Sequence, residues 1–439
     1  MNAQELALQA KQASRVLALA TTQQKNAALS AMAQAVRASA KDLFSANKLD
    51  LQAAEQAVKE GKMKPALFAR LKLDENKLNA VAAGMEDLIH LPDPVGRTLA
   101  YTEMAPGLTL QKVSCPLGVL LVIFEARPDV LPQIAALAVK SGNAVILKGG
   151  KEALHTNEAF LKVLTGALNS LPGGWPQGAL SLVHSRQDAA ELLKQDAYID
   201  LVIPRGSNAL VQYVKENTSI PVLGHADGVC HIYIAPSAPA DLAVKVCVDA
   251  KTQYPAACNA VETLLVDAAW PQENVNALLQ ALAKAGVKCH ALEAQKQRFT
   301  GCEYAKEINW HTEYGAPELS LLTVSGVQEA AAHINRYGSH HTDAILTQDE
   351  KEADYFLSAV DSAGVYHNAS TRFADGYRYG FGAEVGISTA KTHARGPVGL
   401  EGLTIYKYRL RGKGQIVGDF VGPNAQAFTH KNLLQEDKK

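Results

Sequence analysis

From residue 119 the chain falls into a repeating phrase: a short, wholly apolar run, a turn, then a helical pattern. The apolar runs are 119–124, 144–147, 181–183 and 199–203, and helical patterns fill 130–140, 152–168 and 187–194 between them. Runs this short and this apolar suit strands buried on both faces, and strands separated by helices pair in parallel. The pattern predicts an α/β fold built on a doubly wound sheet. In such sheets ligands bind beyond the carboxyl ends of the strands.

The segments on either side extend this reading. Residues 1–90 read as helices: Leu29, Met32, Ala33 and Val36 keep the spacing of one helical face, and so do Leu78, Val81, Met85 and Leu88. Thr21-Thr22 and Pro65 supply helix starts, and Pro92, Pro94 and Gly96 end the helical run. Residues 108–114 read as a strand. A second α/β pattern follows, with strands at 231–234, 261–266 and 319–324 and a helix at 275–285. A chain of 439 residues exceeds one core, so two or three domains are expected.

Composition bounds the partners. Lys and Arg number 43 against 44 Asp and Glu, which leaves no electrostatic footprint for nucleic acid. The longest strongly apolar run, 119–124, is too short to span a bilayer, and residues 1–12 lack the apolar region of a signal peptide. The six cysteines (115, 230, 247, 258, 289 and 302) form no CxxC pair, a usage suited to the reducing cytoplasm. No metal site is expected, because Cys289, His290, Cys302 and His311 lack ligand spacing.

Two turns at the expected sheet edge carry glycine and basic residues. The first is Lys148-Gly149-Gly150-Lys151, and the second is Pro204-Arg205-Gly206-Ser207-Asn208, which leads into a helical pattern. Free amides at a helix start, with the positive end of its dipole, can cradle a phosphate, although a Ser there is also an ordinary N-cap. GxGxxG is missing, so this is not the common dinucleotide fingerprint. Farther on, Cys258 stands among small residues, Pro255-Ala256-Ala257 before it and Asn259-Ala260 after it. Such neighbours leave room for a carbonyl to approach the sulfur and leave amides for an oxyanion. Taken alone, Cys258 could equally be an inert buried thiol.

Beyond residue 364 lies a glycine-rich tract with Asn368, Ser370, Thr371 and Arg372, read either as a surface loop or as a substrate loop that binds an anion. Residues 403–411 alternate as a strand that must find a partner, in this chain or another. The end, from His430, reads as polar and frayed.

Together these stretches resemble the aldehyde dehydrogenase superfamily. The resemblance covers nearly the whole chain and is most specific at 116–130, 142–153, 201–211, 254–263 and 368–389. It implies an aldehyde dehydrogenase-like fold: a doubly wound NADP-binding domain (1–97 and 118–226), an α/β catalytic domain (227–395), an oligomerisation flap (98–117 and 400–425) and a tail (426–439). The resemblance places the nucleophile on Cys258, the cofactor lysine on Lys148 and the nicotinamide-ribose glutamate on Glu313.

Two departures from the wider superfamily refine the expectation. Where hydrolysing members carry a glutamate base, this chain has the run Pro221-Val222-Leu223-Gly224-His225, and Val222 cannot activate water. Where NAD-preferring members carry an acid three positions after the lysine, it has Lys151, a cation suited to the 2′-phosphate of NADPH. The resemblance thus implies an NADPH-dependent oxidoreductase acting on an acyl phosphate, L-glutamyl 5-phosphate, through a Cys258 thioester, in proline biosynthesis. Lys148, Gly149, Gly150, Lys151, Gly206, Ser207 and Glu313 would hold the cofactor. Asn368, Ser370, Thr371, Arg372 and Arg127 would meet the substrate, although Arg127 also suits an ion pair bracing the domains. A homo-oligomer is expected, with glutamate 5-kinase as a candidate partner. The alternatives are a CoA-acylating aldehyde dehydrogenase and a catalytically silent nucleotide-binding relative.

Overall fold

The computed structural model describes residues 1–125, 127–224 and 227–434. His225, which ends the run lacking a base, and residues 435–439 of the tail lie outside the described residues. The chain divides into two compact units: residues 1–206, 213–222 and 399–439, and residues 207–212 and 223–398.

The first unit opens with helices Ala3–Leu17, Thr22–Ala38, Ala40–Lys59, Pro65–Leu71 and Glu75–His90. Thr21 caps the second through a capping box with Gln24, and Pro65 occupies the first turn of the fourth. Leu29, Met32, Ala33 and Val36 are fully buried, so the apolar stripe faces inward as its spacing requires.

Strands β1 (Thr98–Ala105) and β2 (Leu108–Pro116) form an antiparallel pair. Next come β3 (Val119–Phe124), β4 (Ala144–Lys148), β5 (Leu180–Val183) and β6 (Leu201–Arg205). They form a parallel sheet of order β5-β4-β3-β6. The chain moves outward from β3 to β5 and then returns to the far side of β3, which is the doubly wound switch the apolar runs implied. All six residues of β3 are buried.

The second unit holds β7 (Cys230–Ile234), β8 (Val261–Asp267), β9 (Lys288–Leu292), β10 (Glu303–Ala305), β11 (Glu318–Val324), β12 (Thr342–Leu346) and β13 (Gly364–His367). They form a seven-stranded parallel sheet of order β10-β9-β11-β8-β7-β12-β13. Strand alternation sends Ile232, Ile234, Leu264 and Val266 to one core, with Leu278 and Leu282 of helix Gln272–Lys284. Tyr233, Leu265 and Ile345 join the other, with Ala330 and Ile334 of helix Val327–Tyr337. Helices therefore cover both faces.

Within the glycine-rich tract, β14 (Gly386–Ser388) and β15 (Gly396–Val398) make a short antiparallel pair, structure that composition did not reveal. In the first unit β16 (Thr404–Arg411) pairs with β2 over eight positions, so the unpaired strand at 403–411 finds its neighbour in its own chain. Strand β17 (Lys431–Asn432) pairs with β1, and the end read as frayed from His430 is tied down at these two residues.

Candidate active site

Cys258 sits in the turn between helix Ala240–Thr252 and β8, at the amino edge of the seven-stranded sheet. Three contacts fix its backbone. Gly228, at the entry to β7, packs so closely that an added Cβ would stand 2.1 Å from the Cys258 carbonyl oxygen and 2.5 Å from its Cα. The Cys230 thiol donates to the same carbonyl at 3.3 Å. Next in the chain, Asn259 donates from Nδ2 to the Ala374 carbonyl at 2.8 Å, which joins the Cys258 turn to the Arg372 segment. The sequence stretch around Cys258 signalled its own small residues but gave no hint of Gly228 or Cys230, which arrive from another strand.

Cys258 as a residue is half-buried. Burial pushes its pKa up to about 12, carboxylates Glu313 and Glu384 push the same way, and the Arg372 guanidinium opposes them. These influences favour the protonated thiol of Cys258. Arg372 itself is nearly buried, donates from Nε to Gln253 Oε1 at 2.9 Å and lies 5.9 Å over the Tyr254 ring. The fold therefore keeps a cation within electrostatic reach of the sulfur.

The other proposed substrate contacts divide. Asn368 is occupied by the fold: its Oδ1 accepts from the Thr347 amide and its Nδ2 donates to the Thr347 carbonyl, at 3.0 and 2.9 Å. Its φ of 55° needs that support. Ser370 Oγ accepts from the Arg372 amide and caps the short helix Thr371–Phe373. Thr371 Oγ1 is buried without a partner among the described residues. Arg127 belongs to the first unit, exposed in the turn after β3.

In that first unit Lys148 ends β4. Register places it beside Ile123, while Phe124 faces Arg205, so Glu125, Lys148 and Gly206 share the carboxyl edge of the sheet. Burial lowers the Lys148 pKa and Arg186 lowers it further, against Glu152 and Glu125. This turn fits an anionic cofactor. A Cβ at Gly149 would meet Asn157 Nδ2 at 2.3 Å, so only bare backbone fits, and Asn157 Oδ1 is buried with no partner among the described residues. A Cβ at Gly206 would lie 2.6 Å from the Glu125 carboxylate. Gly150 leads into the turn Lys151–Ala153, where Lys151 is exposed. Ser207 is exposed ahead of helix Asn208–Glu216. Glu313, in the second unit, is partly buried near Cys258.

One α/β unit thus carries a half-buried cysteine among small residues, and the other a glycine-lysine turn suited to an anion. The aldehyde dehydrogenase family model matches residues 1–297, and the chain belongs to that family, whose members act with a nicotinamide cofactor. It is 50% identical over 429 residues to the gamma-glutamyl phosphate reductase of Brachyspira hyodysenteriae, covering 98% of this chain and 99% of that one. It is similar to the crystal structure of gamma-glutamyl phosphate reductase from Thermotoga maritima, with a TM-score of 0.91 and 37% identity over 95% of this chain and 100% of that one. Within the aldehyde dehydrogenases, its place is among the γ-glutamyl phosphate reductases. An acetylating aldehyde dehydrogenase from Geobacillus thermoglucosidasius, 17% identical with a TM-score of 0.63 over 94% of this chain and 97% of that one, shares the fold alone.

Proposed function

We propose that this chain reduces L-glutamyl 5-phosphate to L-glutamate 5-semialdehyde and phosphate, with NADPH as donor, as a step of proline biosynthesis in the cytoplasm. The observation that carries the reading is a half-buried Cys258, clamped through its backbone and within electrostatic reach of Arg372. The Cys258 sulfur attacks the acyl carbon, a C–S bond forms, the C–O bond to phosphate breaks, and the thiol proton leaves with the phosphate, a better base than a carboxylate. Amides around Cys258 hold the oxyanion, and Arg372 attracts the anionic substrate and offsets the carboxylates that oppose a thiolate. NADPH, held by Lys148, Lys151, Gly206, Ser207 and Glu313, would supply a hydride equivalent for the thioester carbon. The C–S bond then breaks, and Cys258 takes up a proton as the aldehyde leaves. Val222, a hydrocarbon where relatives of other function place a base, leaves the thioester to the hydride rather than to water.

Lys148, Gly149, Gly150, Lys151, Gly206, Ser207 and Glu313 are assigned to the cofactor. Ser370, Thr371, Arg372 and Arg127 are assigned to the substrate. Asn368 shapes the loop rather than binding the anion, because Thr347 uses both ends of its amide. Assembly as a homo-oligomer through the β16 edge belongs to the same reading.

The test is NADP⁺ reduction with glutamate semialdehyde and phosphate, followed at 25 °C against Cys258→Ser. The variant should lose at least about a thousandfold while still binding NADPH. Turnover that survives the substitution, or that requires CoA in place of phosphate, would overturn the proposal. Replacing Lys151 by Asp should shift the NADPH-to-NADH preference by about tenfold or more, since one cation–phosphate contact is worth that much.

A further inference from the structure

Four residues beyond Cys258, the Glu262 carboxylate is fully buried, and Lys251 Nζ, equally buried, donates to its Oε2 at 2.7 Å. Neither group has a place in the reaction described above. The amides of Tyr314 and Gly315 favour the charged carboxylate, while Oε1 has no full hydrogen-bond partner among the described residues. Glu313 in turn lies within electrostatic reach of both Lys251 and Cys258. The Tyr314 hydroxyl shares a 2.8 Å hydrogen bond with Ser320, and its ring stacks on His290 at 5.1 Å. The turn that carries Glu313 is thus gripped on one side by Tyr314 and on the other by the buried pair.

Stability does not account for that pair. Burial dominates Glu262, raising its pKa to about 7 in spite of Lys251 and the two amides, and burial likewise lowers Lys251. Two buried charges of this kind are often matched or outdone by well-packed apolar side chains. Cys230 and Tyr314 also face the pair and do nothing to neutralise it.

We propose that Lys251 and Glu262 are positioning residues, an internal strut that holds the turn 313–315 so that the Glu313 carboxylate stands beside Cys258 where the cofactor ribose binds. The inference rests on the cofactor role assigned to Glu313, and the experiment separates the two.

Lys251→Met/Glu262→Met is compared with Glu313→Gln and with the triple variant, reading NADPH Kd by fluorescence, the melting temperature, and the rate of Cys258 alkylation. The double variant should melt at or above the native temperature yet bind NADPH about tenfold more weakly, and Glu313→Gln should weaken it to a similar degree. The triple variant should then be no weaker than about either alone, because all three remove one interaction. A native Kd in the double variant, beside a weakened Glu313→Gln, overturns the strut and leaves the Glu313 assignment standing. A native Kd in Glu313→Gln overturns that assignment. Should the double variant fail to fold, Glu262→Gln, which keeps size and an acceptor, should show the same loss, and an unchanged Kd there overturns the strut.

Discussion

At the scale of single residues, the chemistry turns on what keeps Cys258 protonated. Burial and two carboxylates raise its pKa to about 12, and Arg372 is the one opposing side chain among these influences. Glu384 also accepts from the Gly376 amide at 2.8 Å, a bond that glutamine can keep. Glu384→Gln should therefore preserve the loop while lowering the thiol pKa. Iodoacetamide alkylation at pH 7.5 should speed up about threefold or more, and Arg372→Met should slow it. In the native chain the rate should climb with pH without a plateau below pH 10; a plateau near pH 8 would contradict this picture. Cys258 and its small neighbours were legible in the sequence as a candidate because they are contiguous. Gly228, Cys230, Glu384 and the partnership of Lys251 with Glu262 were not, since each depends on which strand ends the fold brings together.

At the scale of elements, periodicity carried most of the information. The first sheet was readable because its strands are apolar runs separated by helices with clear punctuation. The rule that ligands gather at carboxyl ends suits Lys148 and Gly206, yet Cys258 and Glu313 precede β8 and β11 and so lie at an amino edge. Strands β12 and β13 and the pair β14 and β15 went unread because they are short and set among Gly, His and Ser, where neither period dominates. Helix Val327–Tyr337 shows another consequence hidden from the sequence. Its His333 is buried against Trp310, Tyr337 and His231, with centroids at 5.1, 4.7 and 5.5 Å, and Nε2 has no partner among the described residues. Burial, then His231 and His311, depress its pKa from 6.5 to about 3. Since the unfolded chain binds this proton and the folded one resists it, stability is intact above pH 6.5 and falls as pH drops toward 3, by at most about 5 kcal/mol. Melting curves between pH 7 and 4 should show this loss, and His333→Phe should flatten it. An equally steep loss in the variant would place the acid sensitivity elsewhere.

At the scale of the whole molecule, the sheet β16-β2-β1-β17 presents β16 as an edge. One face of this edge is apolar: Tyr408 and Leu410 are each 61% exposed, and Tyr406 stands open in line with them. Nearby, Ile416, Val417 and Val421 are also exposed. Natural edges are protected by charge, by proline or by being short; this one spans eight residues and carries Lys407, Arg409 and Arg411 on one face, while its other face sets Tyr406, Tyr408 and Leu410 in a row. Lys112 lies over the Tyr406 ring at 3.7 Å. Such a surface is costly for a chain that remains alone and productive for one that pairs with a copy of itself, because each copy supplies the same unpaired amides and the same apolar row. Tyr408→Lys/Leu410→Lys places charge on the row without touching either the Cys258 turn or the Lys148 turn. Sedimentation should show the native chain as an oligomer and the variant at a smaller mass, while iodoacetamide alkylates Cys258 at the native rate. A variant that keeps the native mass would assign assembly to another surface, and a native chain that sediments as a monomer would leave the open apolar row of β16 without a partner to cover it.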